Sequence, residues 1–283
     1  MEIEQILKEL NQLNILKNPD CRVLSGGTSS AVFAVYKEEH PYYVIKINQA
    51  SMIESESTFL EQYVDIELLP RVVYVDPASR YLVYYYKPGS TRYVKGNKQD
   101  ILISLVKNLI NTYKPCDIHG YGYIDNPVDS WREFLLGEAD EAKKIIADTL
   151  KQEEHDLIYN LINSMGESKI KYLIHGDCGV HNFIFTDGRM TGVIDPTPIS
   201  GEPLYDLIYA FCSSPDELSY SIIVNAVHAL DNRLQVSRNL DEEVIKGLYL
   251  RMATCIMHHP SDLNAYLDAW GYWKQRILNM KKD

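Results

Sequence analysis

Residues 173–195, LIHGDCGVHNFIFTDGRMTGVID, bring together side chains that could bind a metal ion or move a proton. Asp187 and Gly188 separate two mostly apolar runs, and an Asp-Gly pair in this position predicts a two-residue hairpin turn. Folding the chain on that turn predicts these cross-strand pairs: Thr186 with Arg189, Phe185 with Met190, Ile184 with Thr191, Phe183 with Gly192, and Asn182 with Val193. Because side chains alternate between the faces of a strand, Asn182 and Asp195 should point to the same side, with backbones roughly 7 Å apart on the diagonal.

The oxygens of Asn182 and Asp195 could therefore share one cation. Two hard oxygen ligands with open positions around them suit Mg²⁺, which completes its octahedron with water and phosphate oxygens. Zinc is a competing interpretation, because His175, Cys178 and His181 have ligand chemistry, although they lie in one loop without a fourth partner. A third interpretation is a hairpin whose polar ends are only solvated.

Asp177 favours a catalytic loop over these alternatives. It stands five residues before Asn182, the same interval that separates Asp and Asn in the H-R-D-L-x-x-x-N catalytic loop of protein kinases. In that arrangement the Asp orients an attacking hydroxyl or accepts its proton, while the Asn and a later Asp hold Mg²⁺ on nucleotide phosphates. The stretch HGDCGVHN is thus predicted to be a phosphoryl-transfer loop.

Phosphoryl transfer also requires a loop that covers phosphates. Gly26 and Gly27 lie between two predicted strands in VLSGGTSSAVFAV, followed by Thr28 and Ser29. Glycines let backbone N–H groups approach a phosphate closely, so this turn is a candidate nucleotide contact. A Gly-Gly hairpin turn that binds nothing is the alternative.

Lys46 interrupts YYVIKI, a run that is otherwise apolar or aromatic, and a lysine in such a strand needs an anion. In the predicted helix 51–64 the apolar stripe is completed by Glu56, which makes this carboxylate a natural partner for Lys46. A surface lysine on an edge strand is the alternative.

The elements that position these residues change character near residue 89. Before it we predict one helix and the strands CRVLS, SAVFAVY, YYVIKI, RVVYV and YLVYYY; after it, amphipathic helical patterns dominate. The joint is YYYKPGS, where Pro88 and Gly89 end a strand. In a kinase this joint would contact adenine through backbone groups, and the Tyr85 C=O and the Lys87 N–H are the candidates.

Composition narrows the class of protein. The net charge of −11 argues against a nucleic-acid partner and mildly favours a cationic small substrate. Five scattered cysteines without a C-x-x-C pair argue against a disulfide framework. The chain lacks a run of about 18 apolar residues and a basic-then-apolar start, so we expect a cytoplasmic protein that binds no membrane.

These residues carry a family resemblance. The chain resembles the aminoglycoside phosphotransferase and choline kinase-like group of small-molecule kinases over nearly its whole length. HGDCGVHN is similar to the H-G-D-x-x-x-x-N motif of that group, and GVIDPTPISGEPLYDL is similar to its metal-binding stretch. GYGYIDNPVDSWREFLLGE resembles the start of the second lobe in its antibiotic kinases.

The resemblance implies an α+β, bilobal, protein kinase-like fold with a small β-rich N-lobe and a larger, mostly α-helical C-lobe. Residues 1–88 would form the nucleotide-binding lobe, and residues 89–283 the catalytic and acceptor-binding lobe. By the same resemblance Asp177 is the catalytic base, Asn182 and Asp195 are the metal ligands, and Lys46 with Glu56 positions the phosphates. Gly176 stands where protein kinases have arginine, and no A-P-E segment follows, so control by activation-loop phosphorylation is not expected.

The function expected from the sequence is ATP- and Mg²⁺-dependent phosphorylation of a hydroxyl on a small molecule, with aminoglycosides among the candidate acceptors. The alternatives are a kinase of another small alcohol, such as an amino sugar or a choline-like compound, and an inactive nucleotide-binding module. A protein kinase is disfavoured by the missing activation segment. The sequence leaves the acceptor and the oligomeric state open.

Overall fold

The structure is a computed structural model that describes residues 3–17, 20–24, 30–166, 168, 170–235 and 238–280. The chain divides into two compact units. The first unit comprises residues 1–65 and 69–88, and the second comprises residues 66–68 and 89–283.

The first unit is built on a five-stranded antiparallel sheet. Its elements are α1 (Ile3–Gln12), β1 (Asp20–Val23), β2 (Ala31–Lys37), β3 (His40–Ile47), α2 (Ala50–Gln62), β4 (Val72–Val75) and β5 (Tyr81–Tyr85). The strands lie in the order β1-β2-β3-β5-β4. The predicted strands and the predicted helix are all present, and this helix, α2, ends two residues before its predicted end at residue 64.

The prediction of a single helix in this unit is wrong, because the N-terminal segment also forms a helix. The apolar face of α1 buries Ile6 and Leu10 completely, in one core with Ile45 and Val83 of the sheet. Burying that face removes apolar surface from water, which is the main stabilising term for a short amphipathic helix.

The second unit is mostly helical. Its helices are α3 (Lys98–Asn108), α4 (Trp131–Ile146), α5 (Gln152–Ser164), α6 (Leu204–Cys212), α7 (Tyr220–His228), α8 (Leu240–His258) and α9 (Leu263–Met280). Its strands are β6 (Gly122–Tyr123), β7 (Tyr172–Ile174), β8 (Phe183–Thr186), β9 (Arg189–Val193) and β10 (Ile199–Gly201). They form a three-stranded sheet in the order β6-β10-β7 and the hairpin β8-β9.

Helix α8 is central to this unit and packs against α4, α6 and α9. Trp270 and Trp273 of α9 are buried in the core. Within the described residues, no helix is long and apolar enough to cross a membrane.

A buried cation fixes the end of α6. Lys98 is 1% exposed, and its ammonium donates hydrogen bonds to the main-chain oxygens of Phe211, Ser214 and Asp216. Burial lowers the pKa of Lys98 to about 8, a shift that the nearby Asp216 opposes. Carbonyls at a helix C-terminus carry partial negative charge, so Lys98 caps α6 electrostatically.

Two helix-interior glycines should respond oppositely to alanine. A Cβ on Gly247 of α8 would overlap the Ile208 side chain of α6, whereas a Cβ on Gly137 of α4 meets no atom within 4 Å. We expect Gly247→Ala to destabilise the protein by roughly 1–3 kcal/mol through overpacking. Gly137→Ala should stabilise it by roughly 0.5–1 kcal/mol through helix propensity. Denaturant unfolding of both variants measures this, and equal effects would show that α6 and α8 do not approach so closely.

Candidate active site

The hairpin β8-β9 turns at Asp187 and Gly188, as the Asp-Gly pair predicts. Both residues have positive φ, 51° and 74°, as the favoured type I′ turn requires. Thr186 pairs with Arg189 and Phe185 with Met190, again as predicted.

Beyond those two pairs the predicted register is wrong. Ile184 pairs with Gly192 and Phe183 with Val193, because the register shifts between Ile184 and Phe185. The shift leaves Thr191 as an extra residue, and its hydroxyl donates a hydrogen bond to the Ile184 carbonyl at 3.4 Å. An extra residue of this kind is a β-bulge, which bends the strand and re-aims the residues that follow.

The bulge changes which residue lies opposite Asn182. The Ile194 N–H donates to the Asn182 carbonyl at 2.9 Å, so Asp195 lies one position past the residue that faces Asn182. Asp195 has φ 57°, in the left-handed region that non-glycine residues rarely occupy. Strain of this kind, roughly 1–2 kcal/mol, is typical of functional positions.

The loop between β7 and β8 is fixed by hydrogen bonds to Asp206 of α6. This fully buried carboxylate accepts hydrogen bonds from the His175 N–H at 2.8 Å, the Gly176 N–H at 2.9 Å and the Tyr113 hydroxyl at 2.6 Å. Burial raises the pKa of Asp206 to about 6, against the lowering effect of these three donors.

His175 fixes the same loop from within. Its Nε2 lies 3.1 Å from the Ile194 carbonyl, and its Nδ1 accepts the Asp177 N–H at 3.3 Å. Burial lowers the pKa of His175 to about 4, so the ring is neutral, with its proton on Nε2. The ring thereby links Asp177 to the strand that leads into Asp195.

Asn182 orients the predicted catalytic Asp177. Its Nδ2 donates to the Asp177 carbonyl and to Asp177 Oδ2, both at 2.9 Å. Asp177 Oδ1 is buried and accepts no hydrogen bond from the described residues, while His181 Nε2 lies 3.4 Å away. Burial alone would raise the pKa of Asp177, but His181 and the Tyr209 hydroxyl outweigh it and lower the pKa to about 2. Asp177 is therefore a carboxylate at every physiological pH.

The donor atoms near this loop fit a hard cation. Both donors of the Asn182 amide face oxygens of Asp177, which fixes the orientation of the amide and leaves Asn182 Oδ1 as the atom available to a ligand. An amide oxygen together with the Asp195 carboxylate is a ligand pair suited to Mg²⁺. For zinc, the described residues contain no group of three His, Cys, Asp or Glu side chains placed to hold a metal.

In the first unit, Lys46 of β3 and Glu56 of α2 form an ion pair with Lys46 Nζ 2.6 Å from Glu56 Oε2. Both side chains are more than nine-tenths buried. A buried lysine–carboxylate contact fixes the position of the ammonium, although it contributes little net stability.

The remaining predicted nucleotide contacts are placed less directly. Gly26, Gly27, Thr28 and Ser29 lie outside the described residues. Tyr85 is the last residue of β5 and pairs with Tyr43, and Lys87 follows two residues later, outside any helix or strand. The adenine contacts assigned to Tyr85 and Lys87 stay predictions.

A cavity of about 400 Å³ opens beside Asp177 within the second unit, a volume suited to a small organic ligand. Its wall comes from segments far apart in sequence. The charged and hydroxyl-bearing side chains that line it are Tyr123, Glu138, Glu141, Asp177, Thr197, Glu202, Tyr205, Tyr209, Glu243, Lys246, Arg251 and Thr254. Sequence reasoning missed this wall, although Tyr123 and Glu138 belong to the stretch GYGYIDNPVDSWREFLLGE that carries part of the resemblance.

A family model described as the phosphotransferase enzyme family matches residues 20–240. The chain belongs to this family. Its membership confirms the predicted resemblance and the prediction of a phosphotransferase acting on small molecules. Among curated proteins, no sequence matches the chain.

Solved structures of aminoglycoside phosphotransferases share the fold. A ternary complex of APH(4)-Ia with AMP-PNP and hygromycin B has a TM-score of 0.60 at 15% identity, covering 96% of this chain and 97% of that one. The GDP and kanamycin complex of APH(2″)-IIIa has a TM-score of 0.61 at 14% identity, covering 99% of each chain. The gentamicin complex of APH(2″)-IIa has a TM-score of 0.61 at 18% identity, covering 95% and 96%. These similarities confirm the predicted α+β, kinase-like fold.

Gly176 should be irreplaceable for steric reasons. Its φ is 80°, and a Cβ there would overlap the Thr197 carbonyl oxygen; Gly188 has a similar φ of 74° but an open surrounding. Alanine at either position adopts a left-handed conformation at a cost of roughly 1–2 kcal/mol. We expect Gly176→Ala to lower kcat roughly 10²-fold relative to Gly188→Ala, because the overlap with the Thr197 carbonyl displaces Asp177.

Gly188→Ala is the control, because it has the same backbone strain without the overlap. Steady-state kinetics and thermal unfolding of both variants separate the two effects. A Gly176→Ala protein as active as Gly188→Ala would contradict the placement of this loop against residue 197.

Proposed function

We propose that the protein transfers the γ-phosphoryl group of ATP, with Mg²⁺, to a hydroxyl of a small molecule bound in the cavity beside Asp177. The observation that carries the proposal is the state of that carboxylate: it is ionised, oriented by Asn182, and part of the cavity wall. A hydroxyl that enters this cavity meets a proton acceptor fixed in place.

In the proposed reaction, Asp177 holds the acceptor hydroxyl and takes its proton as the new O–P bond forms and the bond to the nucleoside diphosphate breaks. A carboxylate with a pKa of about 2 is a weak base, so it receives the proton only when the oxygen has become acidic by bonding to phosphorus. This order suits the loose transition state of phosphoryl transfer. Bound Mg²⁺, held by Asn182 Oδ1 and Asp195, would neutralise phosphate charge.

Lys46 would contact the nucleotide phosphates, and Glu56 would hold its ammonium in place. An inactive nucleotide-binding module could also use this ion pair, but it would have no need of an ionised Asp177 that Asn182 orients in the cavity wall. A cytoplasmic location stays a prediction.

Aminoglycosides are the first acceptors to test, because structural neighbours were solved in complex with hygromycin B, kanamycin and gentamicin. The low identities leave the acceptor to be decided by the cavity itself, and other amino sugars and choline-like alcohols stay candidates.

The roles of the two aspartates can be separated by charge-removing substitutions. Asp177→Asn should lower turnover by roughly 10² or more while MgATP affinity is nearly retained. Asp195→Asn should weaken Mg²⁺-dependent nucleotide binding itself, because it removes the carboxylate ligand. Asparagine tolerates the left-handed backbone at residue 195, so the fold should persist.

Calorimetric titration of MgATP into both variants and the parent protein tests this assignment. Retained binding by Asp195→Asn together with lost binding by Asp177→Asn would reverse the roles and refute the proposed function.

The contact between Lys46 and Glu56 predicts coupled effects on catalysis. Lys46→Ala and Glu56→Ala should each lower kcat/KM, and the double variant should lose less activation free energy than the sum, with a coupling of roughly 0.5–3 kcal/mol. Glu61→Ala, an exposed carboxylate on the same helix, is the control and should combine additively with Lys46→Ala. Additive losses in the Lys46 and Glu56 pair would mean that the ion pair does not act as a unit.

A further inference from the structure

The charges in the wall of the 400 Å³ cavity fall into two groups. One group neutralises itself: Lys246 lies 2.9 Å from Glu243, Glu243 also pairs with Arg238 at 3.1 Å, and Arg238 pairs with Glu202. Two cations and two carboxylates therefore cancel. Glu141, at the rim, pairs with Lys144.

The second group comprises Glu138 and Arg251, which form no ion pair in the described part of the chain, and Asp177, whose Oδ1 lies 3.4 Å from His181 Nε2. Arg251 lies on α8, is half-buried, and forms no ion pair with a carboxylate in the described part of the chain. Its Nε donates to the Tyr266 hydroxyl at 3.1 Å, and Tyr266 in turn donates to the Cys212 carbonyl at 2.9 Å. Neither Nη group donates a hydrogen bond to the described residues.

This arrangement positions the guanidinium. Tyr266 is fully buried, and its hydroxyl accepts a hydrogen bond from Arg251 Nε while it donates one to the Cys212 carbonyl. These contacts fix the guanidinium through Nε and leave its two Nη groups for a ligand. A planar guanidinium fixed in this way matches the two oxygens of a carboxylate or a phosphate.

Arg251 also acts near the predicted catalytic base. The Tyr209 hydroxyl is influenced by both groups: burial and the Asp177 carboxylate raise its pKa, and the Arg251 guanidinium lowers it. Because Asp177 and Arg251 both line this cavity, one small molecule bound there could contact both.

A ligand that enters the cavity displaces water from Arg251, and it must replace the lost hydration. An anionic group does so with charge-assisted hydrogen bonds, whereas a neutral group does so weakly and an ammonium is repelled. Resting on the proposed function, we infer that the acceptor carries an anionic group, a carboxylate or a phosphate, which binds to Arg251 while its hydroxyl binds to Asp177.

Glu138 offers the opposite charge in the same wall and serves as the contrast. Burial raises the pKa of its carboxyl, and the Tyr123 hydroxyl opposes that rise. A purely cationic acceptor would depend on Glu138 and be hindered by Arg251. An anionic acceptor would instead depend on Arg251 and be hindered by Glu138.

The first arm of the test identifies the charge of the acceptor. The protein and MgATP are incubated with glucose, glucosamine, gluconate, glucose 6-phosphate and kanamycin, and separately with a cellular small-molecule extract. Mass spectrometry detects products that have gained a phosphoryl group, and ADP release gives the rates. We expect the phosphorylated compounds to be anionic, with gluconate and glucose 6-phosphate distinguishing a carboxylate from a phosphate.

The second arm measures KM for the best acceptor in variants. Arg251→Gln should raise the acceptor KM roughly 10- to 100-fold, leave the KM for ATP unchanged, and keep the thermal midpoint within a few degrees of the parent. Arg251→Lys should recover part of the lost acceptor affinity, because lysine keeps the positive charge but lacks the paired N–H donors of the guanidinium. Glu138→Gln should raise the KM far less, and Lys107→Gln, an exposed lysine on α3, should change nothing.

A neutral or cationic best acceptor would overturn the inference and leave the proposed function intact. An acceptor KM that responds to Glu138→Gln and not to Arg251→Gln would do the same. No phosphorylated product in any mixture, from a protein that binds MgATP, would count against the proposed function and the inference with it.

Discussion

The hydrogen bonds from the backbone of His175 and Gly176 to the Asp206 carboxylate are the constraint on which the site depends. The loop after β7 leaves its sheet, so these N–H groups have no strand partner, and unpaired buried donors would cost roughly 1–3 kcal/mol each. One buried carboxylate satisfies both. Because Asp206 lies in the first turn of α6, the loop takes its position from a helix in the core rather than from its own sequence.

Hydrogen bonds with His175 and Asn182 restrict the position of Asp177 in this loop. His175 stays neutral because it is buried, and a neutral ring can accept from the Asp177 N–H and face the Ile194 carbonyl at once. A protonated ring would lose the first contact. The Asn182 amide donates both of its hydrogen bonds to Asp177, which fixes the carboxylate and leaves the amide oxygen available to a ligand. Acid–base and ligand roles are thus separated on atoms of adjacent side chains.

Much of this site could be predicted from sequence because its signals are local. The interval from Asp177 to Asn182 is a short motif within one loop. The placement of Lys46 in an apolar strand, and of Glu56 on an apolar helix face, can be deduced from the pattern within each element. The predicted hairpin register is correct next to the turn and wrong beyond Phe185, where the pairing shifts by one residue. Thr191 bulges out of the ladder, and nothing in the alternation of side chains predicts where an extra residue will be accommodated. The cavity could not be predicted, since Glu138 and Arg251 line one wall only through the packing of α4 and α8, and Tyr123 joins them from β6.

The overall charge and the cavity charge lead to different expectations about the substrate, and distance decides between them. The net charge of −11 favours cations at long range, but the field of scattered surface carboxylates is screened within roughly 8 Å at physiological ionic strength. Arg251 acts at contact, in a cavity where water is partly excluded and each charge interacts more strongly. Net charge therefore affects how often a ligand arrives, whereas the fixed guanidinium affects which ligand stays. A protein can be strongly acidic as a whole and still select an anionic acceptor, provided that one cation in the cavity is not neutralised by a carboxylate of the protein.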